Sequence, residues 1–286
     1  MARLIFSAFA DEYSRDVDVQ IKMLRENGFT HIEPRFLGER NIADLSGTQA
    51  RLLKEKLGDM QVSSIGSPLG KIDLSDDFEA HLELTKRVCE TARILGTDNV
   101  RVFSFYFKAY EKAGKARQEC RSEVVEKLGR MIDVAKAQGV VLCHENEAEI
   151  YGESPEDCLD LLNAFNGDLK CVFDMGNFVL GGFRPYPDAY EKLKDYIQYF
   201  HIKDALYEGA VVPPGCGAGE IERILKRHLM ETGVDVLITL EPHLQTFDGL
   251  NMLVGRSFDN PYKYESKETA FLDAVKRIKQ MIHNFS

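Results

Sequence analysis

The sequence lacks the features that mark nucleic-acid-binding and membrane proteins. Lysine and arginine total 36 against 46 aspartates and glutamates, a formal charge of −10, so the basic surface that attracts phosphates is missing. No stretch approaches the roughly 20 apolar residues of a membrane span, and the opening residues MARLIFSAFADE lack the long apolar run of a signal peptide. We therefore expect a cytoplasmic protein without a nucleic-acid or membrane partner.

Paired cysteines are also missing. The six cysteines form no CxxC pair and are scattered through segments with strand or helix patterns. This distribution is typical of reduced core thiols rather than of a disulfide framework or a zinc ribbon. A chain of 286 residues, 44% of them hydrophobic, buries a sizeable core without such cross-links.

Two periodicities alternate along the chain. Short β-branched or aromatic runs recur, and segments with apolar residues at i, i+3, i+4 and i+7 lie between them. Ser46, Ser154 and Ser266 stand where helix N-caps are expected. The strand candidates are the eight segments 3–9, 30–35, 60–66, 98–104, 140–146, 169–174, 197–203 and 236–242.

Strands that alternate with helices indicate parallel strands joined by right-handed crossovers. Eight such units without a linker favour an α/β fold of one kind, a single (β/α)8 TIM barrel over residues 1–286, and an open doubly wound sheet is the alternative. The longest irregular stretch, 243–266, and the Gly- and Pro-rich loop 203–218 are candidate lids.

Four strands end in a residue that can bind metal. Glu145, Asp174, His201 and Glu241 follow the apolar runs of the fifth to eighth strand candidates. In a barrel these ends meet at the active-site face, where unpaired carboxylates would be desolvated and would repel one another. A divalent cation removes that penalty, and three carboxylates with one imidazole suit Mn²⁺, Mg²⁺ or Co²⁺, with Zn²⁺ also possible. Taken singly, each residue is more often a strand-end salt-bridge partner.

Five short motifs stand in order on these strands: GFTHIEPR at 28–35, HENE at 144–147, FDMGN at 173–177, FHIKDA at 200–205 and LEPH at 240–243. With these motifs the chain resembles the sugar phosphate isomerase/epimerase family, the xylose isomerase-like TIM barrels, over nearly its whole length. The resemblance implies one divalent metal held by Glu145, Asp174, His201 and Glu241. It also implies that Glu145 and Glu241 flank the substrate and exchange its proton.

One position departs from the family pattern. Many members have a histidine three residues after the sixth-strand aspartate, where this chain has Asn177. Asparagine hydrogen-bonds a substrate hydroxyl but does not shuttle a proton, so the resemblance leaves a third acid/base group in doubt.

The expected chemistry is proton abstraction beside a carbonyl. A metal that polarises the carbonyl acidifies the neighbouring C–H and stabilises an enediolate. Two carboxylates on opposite faces of that planar intermediate invert the carbon, whereas return of the proton to the next carbon gives aldose–ketose isomerisation. Glu145 and Glu241 are the candidate catalytic pair, and the sequence leaves both outcomes open.

Weaker candidates surround these residues. Glu33, Lys203, Asn177 and His243 are candidate substrate-binding residues, and Lys71 is a weaker candidate for a substrate phosphate. For Glu33 a buried ion pair, and for Lys203 a solvated loop position, are equally compatible with the sequence.

The leading prediction is a divalent-metal-dependent isomerase, a sugar or sugar phosphate epimerase or aldose–ketose isomerase. A related lyase, such as a dehydratase or a deglycosylating subunit acting on a keto-sugar or an inositol-like ketone, is the alternative. A phosphodiesterase of the apurinic endonuclease type fits poorly with seven histidines and the acidic charge, and a non-catalytic sugar-binding barrel would be expected to lack metal ligands. Family members are often dimers or tetramers, so a homo-oligomer is possible.

Overall fold

Parallel strands arranged around a common axis form the centre of the molecule. The computed structural model describes residues 2–244 and 262–285. Six strands form the larger part of the ring: β1 (Leu4–Ala8), β4 (Asn99–Val102), β5 (Val141–Glu145), β6 (Leu169–Asp174), β7 (Ile197–Ile202) and β8 (Val236–Leu240). They pair in parallel in the order β1-β8-β7-β6-β5-β4.

A short parallel pair closes the ring between β1 and β4. This pair consists of β2 (His31–Ile32) and β3 (Gln61–Val62). The Glu33 N–H donates to the Ala8 carbonyl over 3.1 Å, and the Ile65 N–H donates to the Asn99 carbonyl over 3.0 Å. All eight strand candidates therefore contribute to one α/β TIM barrel, which confirms the predicted fold class.

The sequence overestimated the second and third strands. Residues 30–35 and 60–66 were expected to be strands, but ladder pairing is limited to two residues in each. Pro34 has no N–H to donate and so interrupts the ladder after β2. Gly66 instead donates its N–H to the Pro34 carbonyl over 3.0 Å, which continues the contact without regular strand geometry.

Helices surround the barrel. The helix N-caps expected at Ser46, Ser154 and Ser266 are confirmed, because each side chain accepts a backbone N–H in the first turn of its helix. Among the described residues no helix is both long and apolar enough to cross a membrane. The helices are Val17–Glu26, Gly47–Leu57, Phe78–Leu95, Lys108–Lys112, Arg121–Ala137, Pro155–Ala164, Met175–Leu180, Tyr190–Leu193, Ile221–Thr232 and Lys267–Ile282.

Alternation along each strand separates the core from the site. On β7, Phe200 and Ile202 belong to the large core between strands and helices, whereas Tyr199 packs with Cys143 and Val172 in a small separate cluster. Because side chains alternate between the two faces of a strand, His201 shares the face of Tyr199, inside the barrel. The same alternation places Glu145 on β5, Asp174 on β6 and Glu241 directly after β8 inside the barrel.

One candidate lid is held firmly, and the other falls largely outside the described residues. Within 203–218, Asp204–Ala205 pairs with Val211–Val212, and the Asp204 carboxylate accepts the N–H groups of Gly215, Gly217 and Gly219 over 2.8–2.9 Å. The segment is therefore an ordered, hydrogen-bonded loop, and its role as a lid stays a prediction. The irregular stretch 243–266 includes residues 245–261, which lie outside the described part of the chain.

A buried histidine fixes the turn after β3. His81 Nε2 accepts the Gly70 N–H over 2.8 Å, so this nitrogen carries no proton. Gly70 has φ +83°, and a Cβ there would lie 2.0 Å from the Phe103 carbonyl oxygen. Burial lowers the pKa of His81 to about 4, because the neutral ring is favoured away from water.

Stability should therefore fall in mild acid. The unfolded chain takes up the His81 proton near pH 6.5, and the folded chain resists it down to about pH 4. The contribution of His81 is complete above pH 6.5 and is lost as the pH falls towards 4, about 2 kcal/mol between pH 7 and pH 5. Urea unfolding at both pH values should show a smaller loss for His81→Gln than for wild type. The exposed His283→Gln is the control, and an unchanged loss in His81→Gln would contradict the assignment.

Candidate active site

Four inward-facing side chains meet at the carboxyl ends of β5 to β8. Glu145, Asp174, His201 and Glu241 each offer one ligand atom, and these four atoms lie within 4.8 Å of one another. All four residues are at most 3% exposed. The structure thus brings together the complete set that the sequence predicted as a metal site, hereafter the acid–histidine cluster.

His201 connects the two glutamates. Its Nδ1 atom lies 2.8 Å from Glu145 Oε1 and 3.2 Å from Glu241 Oε2. Phe9 packs edge-on against the ring, with centroids 5.1 Å apart. Burial disfavours a charged imidazole, but the carboxylates of Glu145 and Glu33 outweigh it and raise the pKa of His201 well above its usual range.

Each glutamate of the cluster directs one oxygen inward and gives the other to an arginine. Glu145 Oε2 accepts from Arg101 over 3.0 Å, and Glu241 Oε1 accepts from Arg35 over 2.9 Å. Burial opposes ionisation, yet His201 and Arg101 lower the pKa of Glu145 to about 2. The pKa of Glu241 is likewise lowered, by Lys203 above all, against the effect of burial. Both glutamates are therefore held as carboxylates.

Asp174 differs from the glutamates because both of its oxygens accept hydrogen bonds, one of them from a lysine. Asp174 Oδ1 accepts the Asn177 N–H over 2.8 Å, and Oδ2 accepts from Lys203 over 3.0 Å. The Lys203 ammonium also lies 3.3 Å from Glu241 Oε2, so one cation serves two carboxylates. Burial raises the pKa of Asp174 to about 7 in spite of Lys203.

The donor set fits a divalent cation. Glu241 Oε2 is fully buried and makes no hydrogen bond of adequate geometry, although His201 and Lys203 lie at ion-pair distance from it. Buried oxygens without partners are rare in folded proteins, and a cation on the inward side would satisfy this one. Three carboxylates and one imidazole nitrogen suit Mg²⁺, Mn²⁺ or Co²⁺ and also accommodate Zn²⁺.

A second acidic group beside the cluster is already neutralised by an arginine side chain. Glu12, Glu241 and His243 also place ligand atoms within 4.8 Å of one another. The Arg35 guanidinium lies 3.2 Å from Glu12 Oε1 and 2.9 Å from Glu241 Oε1. Arg35 therefore supplies the positive charge that this second group requires.

The candidate substrate-binding residues take different positions. Lys203, Asn177 and His243 border the cluster: Asn177 Oδ1 accepts from Lys203 over 3.1 Å, and His243, at φ +46°, donates its N–H to Glu12 Oε2 over 2.8 Å. Glu33 differs because its side chain is fully buried and its contacts are with Tyr199, His201 and Thr239. The substrate-binding role suggested for Glu33 stays a prediction.

Lys71 is already paired. Its ammonium lies 2.8 Å from Glu147 and 4.2 Å from the centre of the Phe103 ring. Lys71, which the sequence offered for a substrate phosphate, is therefore already held in an ion pair with Glu147.

The sequence missed two residues of the site. Arg101 lies in the middle of β4, 6% exposed, and its signal was a charge inside an otherwise apolar strand. Asn146 follows Glu145, and its side-chain amide exchanges two hydrogen bonds of 3.0 Å with the backbone of Asp174. The HENE motif contained this asparagine, but its partner on the next strand could not be read from the sequence.

The chain is thus a parallel (β/α)8 barrel whose carboxyl-terminal face carries a buried cluster of carboxylates and a histidine that could hold a metal ion. The chain belongs to the xylose isomerase-like TIM barrel family, whose model matches residues 21–278. No match was found among curated proteins.

Solved structures share the fold at low sequence identity. D-psicose 3-epimerase from Clostridium cellulolyticum H10, determined with D-tagatose, is 14% identical with a TM-score of 0.73, covering 99% of this chain and 100% of that one. A xylose isomerase-like TIM barrel protein from Mycobacterium smegmatis, in complex with magnesium, is 18% identical with a TM-score of 0.69, covering 100% and 98%. The probable 3-DHS dehydratase AsbF from Bacillus anthracis is 17% identical with a TM-score of 0.68, covering 98% and 99%.

Removing Lys203, which lies beside the acid–histidine cluster, should destabilise the metal-free protein. In Lys203→Met, Asp174 and Glu241 lose their shared cation, and an uncompensated buried charge typically costs about 3 kcal/mol. Lys71→Met is the matched control, because its partly exposed pair with Glu147 is worth less than about 1 kcal/mol. Urea unfolding in a chelator measures both variants, and equal losses would contradict this account of the cluster.

Proposed function

We propose that this protein is a divalent-metal-dependent sugar epimerase or isomerase. The observation that carries the proposal is the pair Glu145 and Glu241, which direct one oxygen each into the same buried cluster from separate strands. Two ionised carboxylates that share a centre are suited to remove a proton and return one. The family match and the similarity of the fold to that of D-psicose 3-epimerase support the same chemistry.

The metal ligands in this proposal are Glu145, Asp174, His201 and Glu241. A bound divalent cation would polarise a substrate carbonyl as a Lewis acid and so acidify the neighbouring C–H. The magnesium complex of the similar Mycobacterium smegmatis barrel supports a hard cation at such a site. Mn²⁺, Mg²⁺ and Co²⁺ suit the ligand set best, and Zn²⁺ is the alternative.

The chain's own residues then handle the proton. One of Glu145 and Glu241 takes the proton beside the carbonyl, and the other returns a proton to the opposite face of the planar enediolate. Arg101 and Arg35 hold the outer oxygens of these carboxylates, so the inner oxygens face the substrate. Lys203 is placed to donate a hydrogen bond to a negatively charged substrate oxygen.

Asn177 and His243 complete the proposed sugar contacts. Asn177 lies beside Lys203 at the start of a helix. Its amide oxygen accepts from Lys203 and its amide nitrogen donates to the Asn146 carbonyl over 2.9 Å, which leaves one N–H and one lone pair of the amide for a substrate hydroxyl. The His243 Nδ1 atom is buried without a hydrogen-bond partner, and the ring is partly exposed. Both are suited to neutral polar groups such as the hydroxyls of a sugar.

A dehydratase is the second candidate. The same pair of carboxylates would remove the proton, and loss of a hydroxyl from the neighbouring carbon would follow in place of reprotonation. Two observations support this candidate. Asn177 stands where many family members have a histidine, and the fold is similar to that of the probable 3-DHS dehydratase AsbF.

The proposal requires one metal ion per chain. Protein stripped with a chelator and then supplied with Mn²⁺ should retain about one equivalent after removal of the excess, measured by elemental analysis. Asp174→Ala and His201→Ala should each bind more weakly, because each removes one ligand. Ser122→Ala, on the helix Arg121–Ala137, is the control. Failure of the wild-type protein to retain any metal would reject the proposed site.

Proton exchange should be visible in heavy water. With metal and a panel of ketohexoses in D₂O, an epimerising or isomerising enzyme places solvent deuterium in its product. Glu145→Gln and Glu241→Gln keep an oxygen ligand but remove the base, so turnover should fall by roughly 10²–10⁴-fold while metal binding persists.

Three results separate the alternatives. Full activity in both glutamine variants would reject the assignment of the catalytic pair. Turnover without deuterium uptake would replace proton transfer by a hydride shift, and a dehydrated product would establish the second candidate.

A further inference from the structure

Glu33 lies on the far side of His201 from the acid–histidine cluster. Glu33 Oε2 is 3.2 Å from His201 Nε2, whereas the opposite ring nitrogen, Nδ1, faces Glu145 and Glu241. Glu33 and His201 are both fully buried. The imidazole is therefore held between a carboxylate behind it and the cluster in front of it.

Two hydroxyl groups fix the carboxylate of Glu33. Tyr199 donates its hydroxyl to Oε1 over 3.0 Å, and Thr239 donates to Oε2 over 2.7 Å. Tyr199 and Thr239 precede His201 and Glu241 by two residues on β7 and β8, so each shares its strand face with a cluster residue. The strands that carry the cluster thus also hold Glu33 in place.

A carboxylate that only accepts hydrogen bonds determines which ring nitrogen carries hydrogen. Nε2 donates to Glu33, and while no cation is bound Nδ1 donates to the Glu145 carboxylate 2.8 Å away. A cation that takes the place of the Nδ1 hydrogen would meet the lone pair of that nitrogen, because Glu33 keeps the remaining hydrogen on Nε2. Metal-binding histidines commonly have a carboxylate or carbonyl behind them that sets the tautomer and the ring orientation. The geometry around His201 provides that partner within the chain.

We infer that Glu33 is a positioning residue that directs the Nδ1 lone pair of His201 at a divalent cation, and that it does not bind substrate. This inference rests on the proposed function, because it assigns a role towards the metal of that site. It adds one residue to the site beyond the four ligands, and it replaces the substrate-binding role that the sequence suggested for Glu33.

Two variants of Glu33 grade the effect. Glu33→Gln keeps an oxygen that can accept from Nε2 but removes the charge, and Glu33→Leu removes both. We expect the dissociation constant for Mn²⁺, measured by titration calorimetry, to rise roughly 10-fold in the first variant and roughly 100-fold in the second. Thr239→Val leaves Glu33 in place and removes one of its donors, so a smaller rise of a few fold is expected.

A control and a spectroscopic readout separate positioning from a merely structural role. Ser7→Ala removes a buried hydroxyl that hydrogen-bonds Ser63 over 2.7 Å, so it should lower stability without changing metal affinity. In protein loaded with Zn²⁺, ¹⁵N NMR of the imidazole should show a slowly exchanging hydrogen on Nε2 in wild type, held by Glu33, and faster exchange of that hydrogen in Glu33→Leu.

The outcomes are distinguishable. Metal affinities within twofold of wild type in folded Glu33 variants, or unchanged exchange of the Nε2 hydrogen of His201 in Glu33→Leu, would overturn the inference and leave the proposed function intact. If Glu33→Leu does not fold, Glu33→Gln and Thr239→Val decide by the same measurements. Absence of metal binding by the wild-type protein would overturn the proposed function and this inference together.

Discussion

The need to neutralise buried negative charge shapes the centre of this barrel. Parallel strands bring Glu145, Asp174 and Glu241 to one end with almost no exposed surface, where unpaired carboxylates would be strongly destabilising. Arg101, Arg35 and Lys203 each contact one or more of them. The arginines come from the part of the ring between β1 and β5, so strands without ligands contribute charge compensation. The position of nearly every charged group in the site follows from this constraint.

The strands that could be predicted are those whose sequence is determined by burial alone. β5 to β8 are mostly apolar runs with a polar cluster residue at or near the carboxyl end, because both faces of a barrel strand are covered over most of its length. The fold class and the four-residue cluster followed from these runs. β2 and β3 could not be bounded in the same way, since Pro34 interrupts the ladder while backbone contacts continue around it. The assignment of residues 1–286 to a single domain stays a prediction.

Contacts between distant residues were beyond the reach of the sequence. Glu33 and His201 are separated by 168 positions, and only the closed ring places one behind the other. Arg101 carried a signal, a charge within an apolar strand, but its partner Glu145 depends on how β4 and β5 align. The structure of the 203–218 loop, which the sequence indicated as a candidate lid, was also beyond the reach of the sequence. There the glycines allow three N–H groups to converge on Asp204.

The two oxygens of Glu145, and likewise those of Glu241, are not equivalent in this structure. An arginine holds one oxygen of each, and the other faces the cluster beside His201. A free carboxylate presents either oxygen by a simple rotation, but these two have lost that symmetry. Any molecule that enters the cluster therefore meets a handed arrangement of lone pairs that exists before it arrives. Stereochemical preference is consequently a property of the folded chain itself and does not require the bound molecule to impose it.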